Sequence, residues 1–274
     1  MVKRWLMAAC LAGCLGLPAG AEELPRRVLS MNLCTDQLAM LVAAPGQLIS
    51  VSAMSQDPRG SVMAEEAMQY HGNRGLAEDI FLMQPDLVLA GSFSTTATVQ
   101  LLRRLGQRVE VFEPEYSFDD MRANLRRMGA LLGRDVRARQ VIAQFDADLA
   151  ALGTVNGPRP RAATYGTNGY SAGPNSLAGE IVQAAGLDNI GAELGLGIGA
   201  ALPLELLMLS DPDLVITGRP YPGASRADEI LSHPGLLALK EKSPVSPLSD
   251  RDWVCGTPLV LRAVSQLRAA RDAL

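Results

Sequence analysis

The run Gly169-Tyr170-Ser171-Ala172-Gly173 fits the G-x-S-x-G pattern, and Asp211 and His233 follow it in hydrolase order. In an acyl-transfer enzyme that pattern lifts a serine hydroxyl out of a tight turn directly between a strand and a helix. Here Gly169 lies four positions past Tyr165, where an apolar run ends, and Pro174 and Asn175 postpone the next helix to Ser176. An exported serine hydrolase using Ser171 therefore stands only as an alternative. The segment Gly195-Leu-Gly197-Ile-Gly-Ala200 matches a loose dinucleotide fingerprint. No strand run precedes it, so its glycines have no βα turn in which to present a phosphate, and it reads as a flexible loop at a cleft edge. Metal chemistry needs several nitrogen or carboxylate ligands converging on one point. The chain has two histidines: His71 in a Gly-rich loop, where it either ligates a haem iron or is solvated, and His233 in a turn before Pro234. No catalytic residue, resident metal or cofactor is assigned.

Residues that cannot catalyse must be positioned for something else, and the elements show for what. Residues 27–31 form a β-like run, and 35–44 carry helical apolar spacing with Asn32 or Thr35 available as cap. Alternation continues with strands at 48–52, 87–90 and 109–112 and helices at 76–84, 96–105 and 118–132. Strands alternating with helices imply a parallel sheet covered on its faces. A long amphipathic stretch over 135–152 ends in the breaker-rich residues 153–160 and reads as a helix joining two lobes. Beyond it come strands at 161–165 and 214–217, a helix capped by Ser176 running to 185, a helix at 204–209 and a final helix at 258–273.

An internal repeat without gaps supports two lobes. Glu78 to Gly91 (Glu-Asp-Ile-Phe-Leu-Met-Gln-Pro-Asp-Leu-Val-Leu-Ala-Gly) aligns with Glu205 to Gly218 (Glu-Leu-Leu-Met-Leu-Ser-Asp-Pro-Asp-Leu-Val-Ile-Thr-Gly). In each copy the proline stops a helix and Leu-Val begins a strand suited to burial on both faces.

Composition narrows the class. At 274 residues and 48% hydrophobic the chain can bury a sizeable core, and a net charge of −4 excludes a nucleic-acid partner by the usual basic face. Lys3 and Arg4, an apolar run over 5–17, Pro18 and Ala19-Gly20-Ala21 read as a leader of residues 1–21, which marks the protein for export. Leu11-Ala12-Gly13-Cys14 offers the alternative of a lipid anchor at Cys14. Cleavage after Ala21 leaves two cysteines, Cys34 and Cys255, in an oxidising compartment. They form a disulfide, bind a thiophilic metal, or are two separate buried thiols, and spacing does not choose. Six methionines between Met31 and Met83 read as adaptable core filling, Met54 excepted.

The order of these features resembles the periplasmic binding proteins for iron complexes and vitamin B12. It is carried by Arg27-Val-Leu-Ser-Met-Asn-Leu-Cys-Thr-Asp36, both Pro-Asp-Leu-Val units, Tyr170-Ser-Ala-Gly-Pro-Asn-Ser176 and Asp252-Trp253, and it covers nearly the whole chain after the leader. The resemblance implies an α/β fold of two Rossmann-like lobes, 22–134 and 157–274, joined by one long backbone helix at 135–156. It implies a monomer that holds a metal chelate (cobalamin or another corrinoid, a ferric siderophore, or haem) and delivers it to an ABC permease dimer in the inner membrane. Glu78 and Glu205 match family positions that meet arginines of the permease. Asn32, Met54, Arg59, Phe93, Tyr170, Asp252 and Trp253 fall in loops at strand C-termini, where ligands of parallel sheets collect. Arg59, Arg74, Arg219 and Arg251 offer partners for ligand carboxylates. The sequence differs from the B12-binding relative near Gly72, Gly91 and Gly199, where that relative has tryptophans.

Overall fold

A computed structural model describes residues 23–218, 223, 225–242, 245–248 and 250–274. The leader, the Cys14 motif and Arg219 lie outside them. The first lobe runs β1 (Val28–Ser30), α1 (Leu33–Val42), β2 (Leu48–Ser52), α2 (Ala64–Ala67), β3 (His71–Asn73), α3 (Ala77–Leu82), β4 (Leu87–Gly91), α4 (Thr96–Arg104), β5 (Val109–Phe112) and α5 (Phe118–Leu132). Its five strands are parallel in the order β3-β2-β1-β4-β5. The connecting helix α6 spans Asp135–Ala151. The second lobe contains β6 (Arg161–Thr164), β7 (Tyr170–Ala172), α7 (Leu177–Ala184), β8 (Asp188–Asn189), α8 (Ile190–Glu193), β9 (Gly199–Ala201), α9 (Leu204–Ser210), β10 (Leu214–Gly218), α10 (Pro234–Lys242), β11 (Val245–Leu248) and α11 (Leu261–Asp272). Its parallel sheet has the order β11-β10-β6-β8, and β7 pairs with β9 in a separate antiparallel ribbon.

Strand alternation assigns the core. Val28, Leu87 and Leu89 face one side of the first sheet, and Leu29, Val88 and Ala90 face the other. In the second sheet Ala162, Leu214 and Ile216 join the same central core as the first set, whereas Ala163 and Val215 face outward against α9 and α10 residues such as Leu207 and Leu239. One apolar core is thus shared by an inner face of each sheet, with α6 inside it through Ala138, Val141, Ile142 and Phe145. Phe145 meets Phe118 edge to face at 5.4 Å between ring centroids. Gly129 permits the close crossing of α5 and α6, since a Cβ there would lie 2.6 Å from that of Ala138. At the far end of α6, the guanidinium of Arg268 donates to the carbonyls of Leu152, Gly153 and Ala184, fixing the helix terminus to α11 and α7.

The sequence repeat is matched by a repeated set of hydrogen bonds. The Asp86 carboxylate accepts from the amides of Arg26 and Arg27 at 2.7 and 3.0 Å, while the Arg27 side chain donates to the carbonyls of Met83 and Gln84. In the second lobe the Asp213 carboxylate accepts from the Arg161 amide at 2.7 Å, and Arg161 donates to the carbonyls of Ser210 and Asp211. Gln84 and Asp211, the equivalent residues before each proline, both have left-handed backbones, with φ of 49° and 44°. Each lobe therefore fastens the end of one helix to the start of its first strand by the same exchange.

Because Phe145 is 1% exposed and sits where both lobes share their core, Phe145→Ala is expected to cost about 3–5 kcal/mol. Denaturant melts followed separately by lobe-specific probes should shift together, as two faces of one core require.

Candidate ligand-binding site

The C-terminal ends of the parallel strands in both lobes open into one cavity of about 550 Å³. The first lobe contributes Leu33 after β1, Met54 after β2, and Gly60. The second contributes Tyr165 to Thr167 after β6, Gly218 after β10, and Asp250, Trp253 and Val254 after β11, with Tyr170, Asp228 and Leu231. The wall is mainly apolar, and among the described lining residues the charged side chains are Asp228 and Asp250. Tyr170 reaches its place across the β7–β9 ribbon because Gly199 has no side chain: a Cβ there would lie 2.3 Å from the Tyr170 hydroxyl. Met54 and Tyr170 are 64% and 47% exposed, so the cavity is lined by side chains that a ligand could still cover.

A buried carboxylate holds the loop that presents Met54. One oxygen of Asp36, in the first turn of α1, accepts from the Ser52 amide at 3.0 Å and from the Ser52 and Ser55 hydroxyls at 2.5 Å each. Burial pushes the Asp36 carboxyl upward while the serine hydrogen bonds pull it back. The short 3-10 turn Ala53–Gln56 is thereby tied to α1.

The loop after β11 crosses to the first lobe. Cys34 and Cys255 are joined by a disulfide, with Cα atoms 5.1 Å apart. Arg251 donates to the Pro58 carbonyl at 3.3 Å, and the Glu115 carboxyl accepts from the Gly256 amide and, at 2.7 Å, from Asn124. Burial raises the Glu115 carboxyl above its ordinary range. On the side of α6, the Glu180 carboxylate of α7 accepts from the Phe118 amide at 2.6 Å. A second, smaller cavity of about 230 Å³ lies in the first lobe against this crossing loop, lined by Asn32, Thr35, Phe93, Glu115 and Val254 among others.

This geometry, a cavity between two α/β lobes joined by one helix, agrees with the comparisons. A family model described as periplasmic binding protein matches residues 28–242. The chain belongs to the periplasmic binding protein family. The binding protein is 26% identical over 268 residues to a vitamin B12-binding protein of Yersinia pestis, covering 95% of this chain and 90% of that one. It is 32% identical over 146 residues to a cobalamin-binding protein of Halobacterium salinarum, an alignment that spans 52% of this chain and only 40% of that protein's length. Among solved structures, a periplasmic heme-binding protein from Roseiflexus sp. RS-1 in apo form superposes with a TM-score of 0.72 at 20% identity, covering 89% of this chain and 97% of that one.

Within the binding protein the expected ligand residues separate into groups. Met54, Tyr170 and Trp253 line the main cavity. Asn32 and Phe93 line the smaller one; Asn32 also caps α1 by accepting from the amides of Cys34 and Thr35, and Phe93 is 85% exposed. Asp252 sits beside Arg251, while its neighbours Asp250 and Trp253 take the lining positions. Arg59 makes a bidentate contact with Asp57, and neither Arg59 nor Arg74 is among the described lining residues. Glu78 and Glu205 occupy the exposed first turns of α3 and α9. Leu33 and Asp250 line the cavity from loops expected to face it, whereas Asp228 and Leu231 were missed, since the 3-10 turn Arg226–Ser232 carries no periodic signal.

Three features that carried alternative readings are placed by the structure. Ser171 is fully buried inside β7 and faces Thr164, and His233 accepts from the Gly235 amide at its own helix start, so no nucleophile elbow exists. The Gly195–Ala200 segment is a loop over residues 195–198 that runs into β9, and it is held in place because the carbonyls of Gly197 and Ile198 accept from the amides of Asn175 and Gly173. His71 opens the edge strand β3, exposed and outside the described cavity linings, because Ser50 pairs with it in register. Among the described residues no group of three His, Cys, Asp or Glu could hold a metal ion, and no helix is long and apolar enough to cross a membrane.

Replacing both Cys34 and Cys255 by serine is expected to cost about 2–5 kcal/mol, read as a lower urea midpoint; an unchanged midpoint would contradict a structural role for the bond. The raised Glu115 carboxyl means the folded protein holds its proton more tightly than the unfolded chain does. Its stabilising contribution is complete below about pH 4.5 and is lost as pH climbs through the raised value. Glu115→Gln should therefore gain stability relative to wild type as pH rises above about 4.5. Urea midpoints of both proteins, followed from acid to neutral pH, check the sign.

Proposed function

We propose that this chain is the periplasmic ligand-binding component of an ATP-driven importer, gripping a metal chelate between lobes 22–134 and 157–274 and releasing it to an ABC permease dimer. The observation that carries the reading is the apolar cavity formed where the strand C-termini of both lobes meet. Family membership supports it. The monomer enters the periplasm by a leader ending at residue 21 or is tethered at Cys14, and the segment 135–156, whose helix is α6, bridges its lobes.

Of the chelates, a corrinoid is favoured. Among the described lining residues no Lys, Arg or His is available to a ligand carboxylate, while Tyr170 and Trp253 offer flat faces and Asp228 and Asp250 offer acceptors for amide donors. That pattern suits an uncharged, amide-bearing ring better than haem propionates or a polycarboxylate siderophore. The names of the two curated relatives, cobalamin-binding and vitamin B12-binding, point the same way. The metal would arrive inside the ligand, so no protein ligand to it is required.

Trp253 is the only tryptophan beyond Trp5 and lines the cavity, which makes it a reporter. Titration with cyanocobalamin, cobinamide, haem and a ferric siderophore should show saturable quenching by a corrinoid at micromolar or lower concentration, and Tyr170→Ala should weaken it about tenfold. Quenching by haem alone would replace the corrinoid, and no response to any chelate would overturn the reading.

A further inference from the structure

Two adjacent side chains of α1, Asp36 and Gln37, are fully buried, and between them they reach both ends of the 53–61 loop, which carries Met54 and Gly60 to the cavity wall. At the near end Asp36 Oδ2 takes three hydrogen bonds, from the Ser52 amide and from the Ser52 and Ser55 hydroxyls. At the far end the Gln37 amide donates to the Ser61 hydroxyl at 3.5 Å. A third anchor lies under the turn, where the Gln56 amide donates to the carbonyls of Ala67 and Tyr70. The other oxygen of Asp36, Oδ1, is buried with no hydrogen-bond partner among the described residues. The Ser30 hydroxyl also faces this carboxyl but is engaged with Thr35 at 2.8 Å. Such a donor set suits an anion badly, because Oδ1 would carry charge in the interior with nothing to answer it. A proton on Oδ1 removes the charge and leaves Oδ2 its three donors. The surroundings supply no compensating cation: α1, β1, β2, β4 and the Ala53–Gln56 turn contain no charged residue besides Asp36. The charged residues of α5 and α6, which also pack on α1, are exposed or partly exposed. Arg137 of α6 reaches α1 only at the Leu41 carbonyl, more than a turn beyond Asp36, and Asp57 and Arg59 after the turn pair with each other.

We propose that Asp36 is a positioning residue of the ligand site: its proton keeps the 53–61 loop seated, so that affinity for the chelate declines as Asp36 ionises. The proposal rests on the reading of the cavity as a chelate site. Met54 stands between Ser52 and Ser55, the two residues that Asp36 holds, so a shift of those serines moves the Met54 thioether against the ligand. Ionisation puts an uncompensated charge beneath the turn, and admitting water to Oδ1 relieves it by loosening the near end of the loop. Burial holds the Asp36 carboxyl above its ordinary value, so the folded protein keeps this proton more firmly than the unfolded chain does. The contribution of the seated loop is therefore complete below about pH 4 and is lost as pH climbs through the raised value. Linkage requires the reverse effect too: a ligand that selects the seated loop raises the Asp36 carboxyl further.

The test uses the mature protein and cyanocobalamin, whose own charge is constant from acid to mildly alkaline pH, with Trp253 fluorescence as the signal. Wild type should lose about tenfold in affinity as pH rises from about 4. Asp36→Asn keeps a carbonyl oxygen for the three donors and cannot ionise, so it should retain the acid affinity at every pH. Asp228, Asp250 and Glu115 are common to both proteins, and the readout is the difference between the two curves. Ser55→Ala removes one donor while leaving the carboxyl buried, and should weaken binding about threefold at acid pH. A second readout needs no ligand: the Met54 methyl resonance, assigned by its loss in Met54→Leu, should shift with pH in wild type and stay fixed in Asp36→Asn. Parallel affinity curves for the two proteins, or a Met54 resonance that ignores pH, would reduce Asp36 to a structural anchor and overturn the proposal, even where Asp36→Asn melts at a lower temperature. If the Met54 resonance titrates as expected but no chelate binds, the chelate reading falls while the control of the loop by Asp36 stands.

Discussion

The edge-to-face contact of Phe118 and Phe145 lies at the centre of an apolar core that belongs to neither lobe alone. Because an inner face of each sheet packs into that core, separating the lobes widely would expose side chains that are now fully buried, such as Leu125, Met128 and Ile181. Protein interiors are close-packed and respond poorly to gradual deformation. The lobes are thus expected to rock through small angles, and the cavity between them is largely preformed. On the opposite side the loop after β11 reaches across through the disulfide and Arg251. The cavity is bounded by a packed hinge and a covalent strap, so its width is set by structure rather than by the ligand.

The repeated Pro-Asp turn shows how local strain is held. A left-handed backbone at a residue other than glycine costs about 1 kcal/mol, and it occurs at equivalent places in both lobes, at Gln84 and Asp211. In each case an arginine at the entry to the lobe's first strand donates to the carbonyl of the strained residue, and an aspartate two positions later accepts from that arginine's amide. The strain ends a helix abruptly and sends the chain into a central strand without a loop. Recurrence of the whole arrangement supports duplication of a helix-turn-strand unit more firmly than the matching letters alone.

Much of the fold was legible because its signals are local. Proline after helix, Leu-Val runs and the Asn32 and Ser176 caps each fix a boundary within a few residues, and β2, β5 and α5 begin and end where their patterns do. What was not legible depends on partners distant in sequence. The strands β7 and β9 have three residues each and contain or adjoin glycines, leaving no periodicity to detect; only their mutual pairing makes them strands. That pairing buries Ser171 and removes the hydrolase alternative. The site was legible as a set of loops rather than as a set of side chains. Trp253 lines the cavity and Asp252 does not, and Arg59 pairs with Asp57 two residues away. Asp36 looked like an ordinary first-turn acid, and its role in fixing the Met54 loop emerges only from contacts with Ser52 and Ser55.

The bond between Cys34 and Cys255, separated by 221 positions, closes nearly the whole described chain into a covalent ring. Tension applied at the two ends passes through that link, so β1 and α11, which lie outside the ring, are the regular elements placed directly in its path. Pulled from its ends, the oxidised molecule can give up the central strand of its first sheet and its last helix, while the strands inside the ring bear no load.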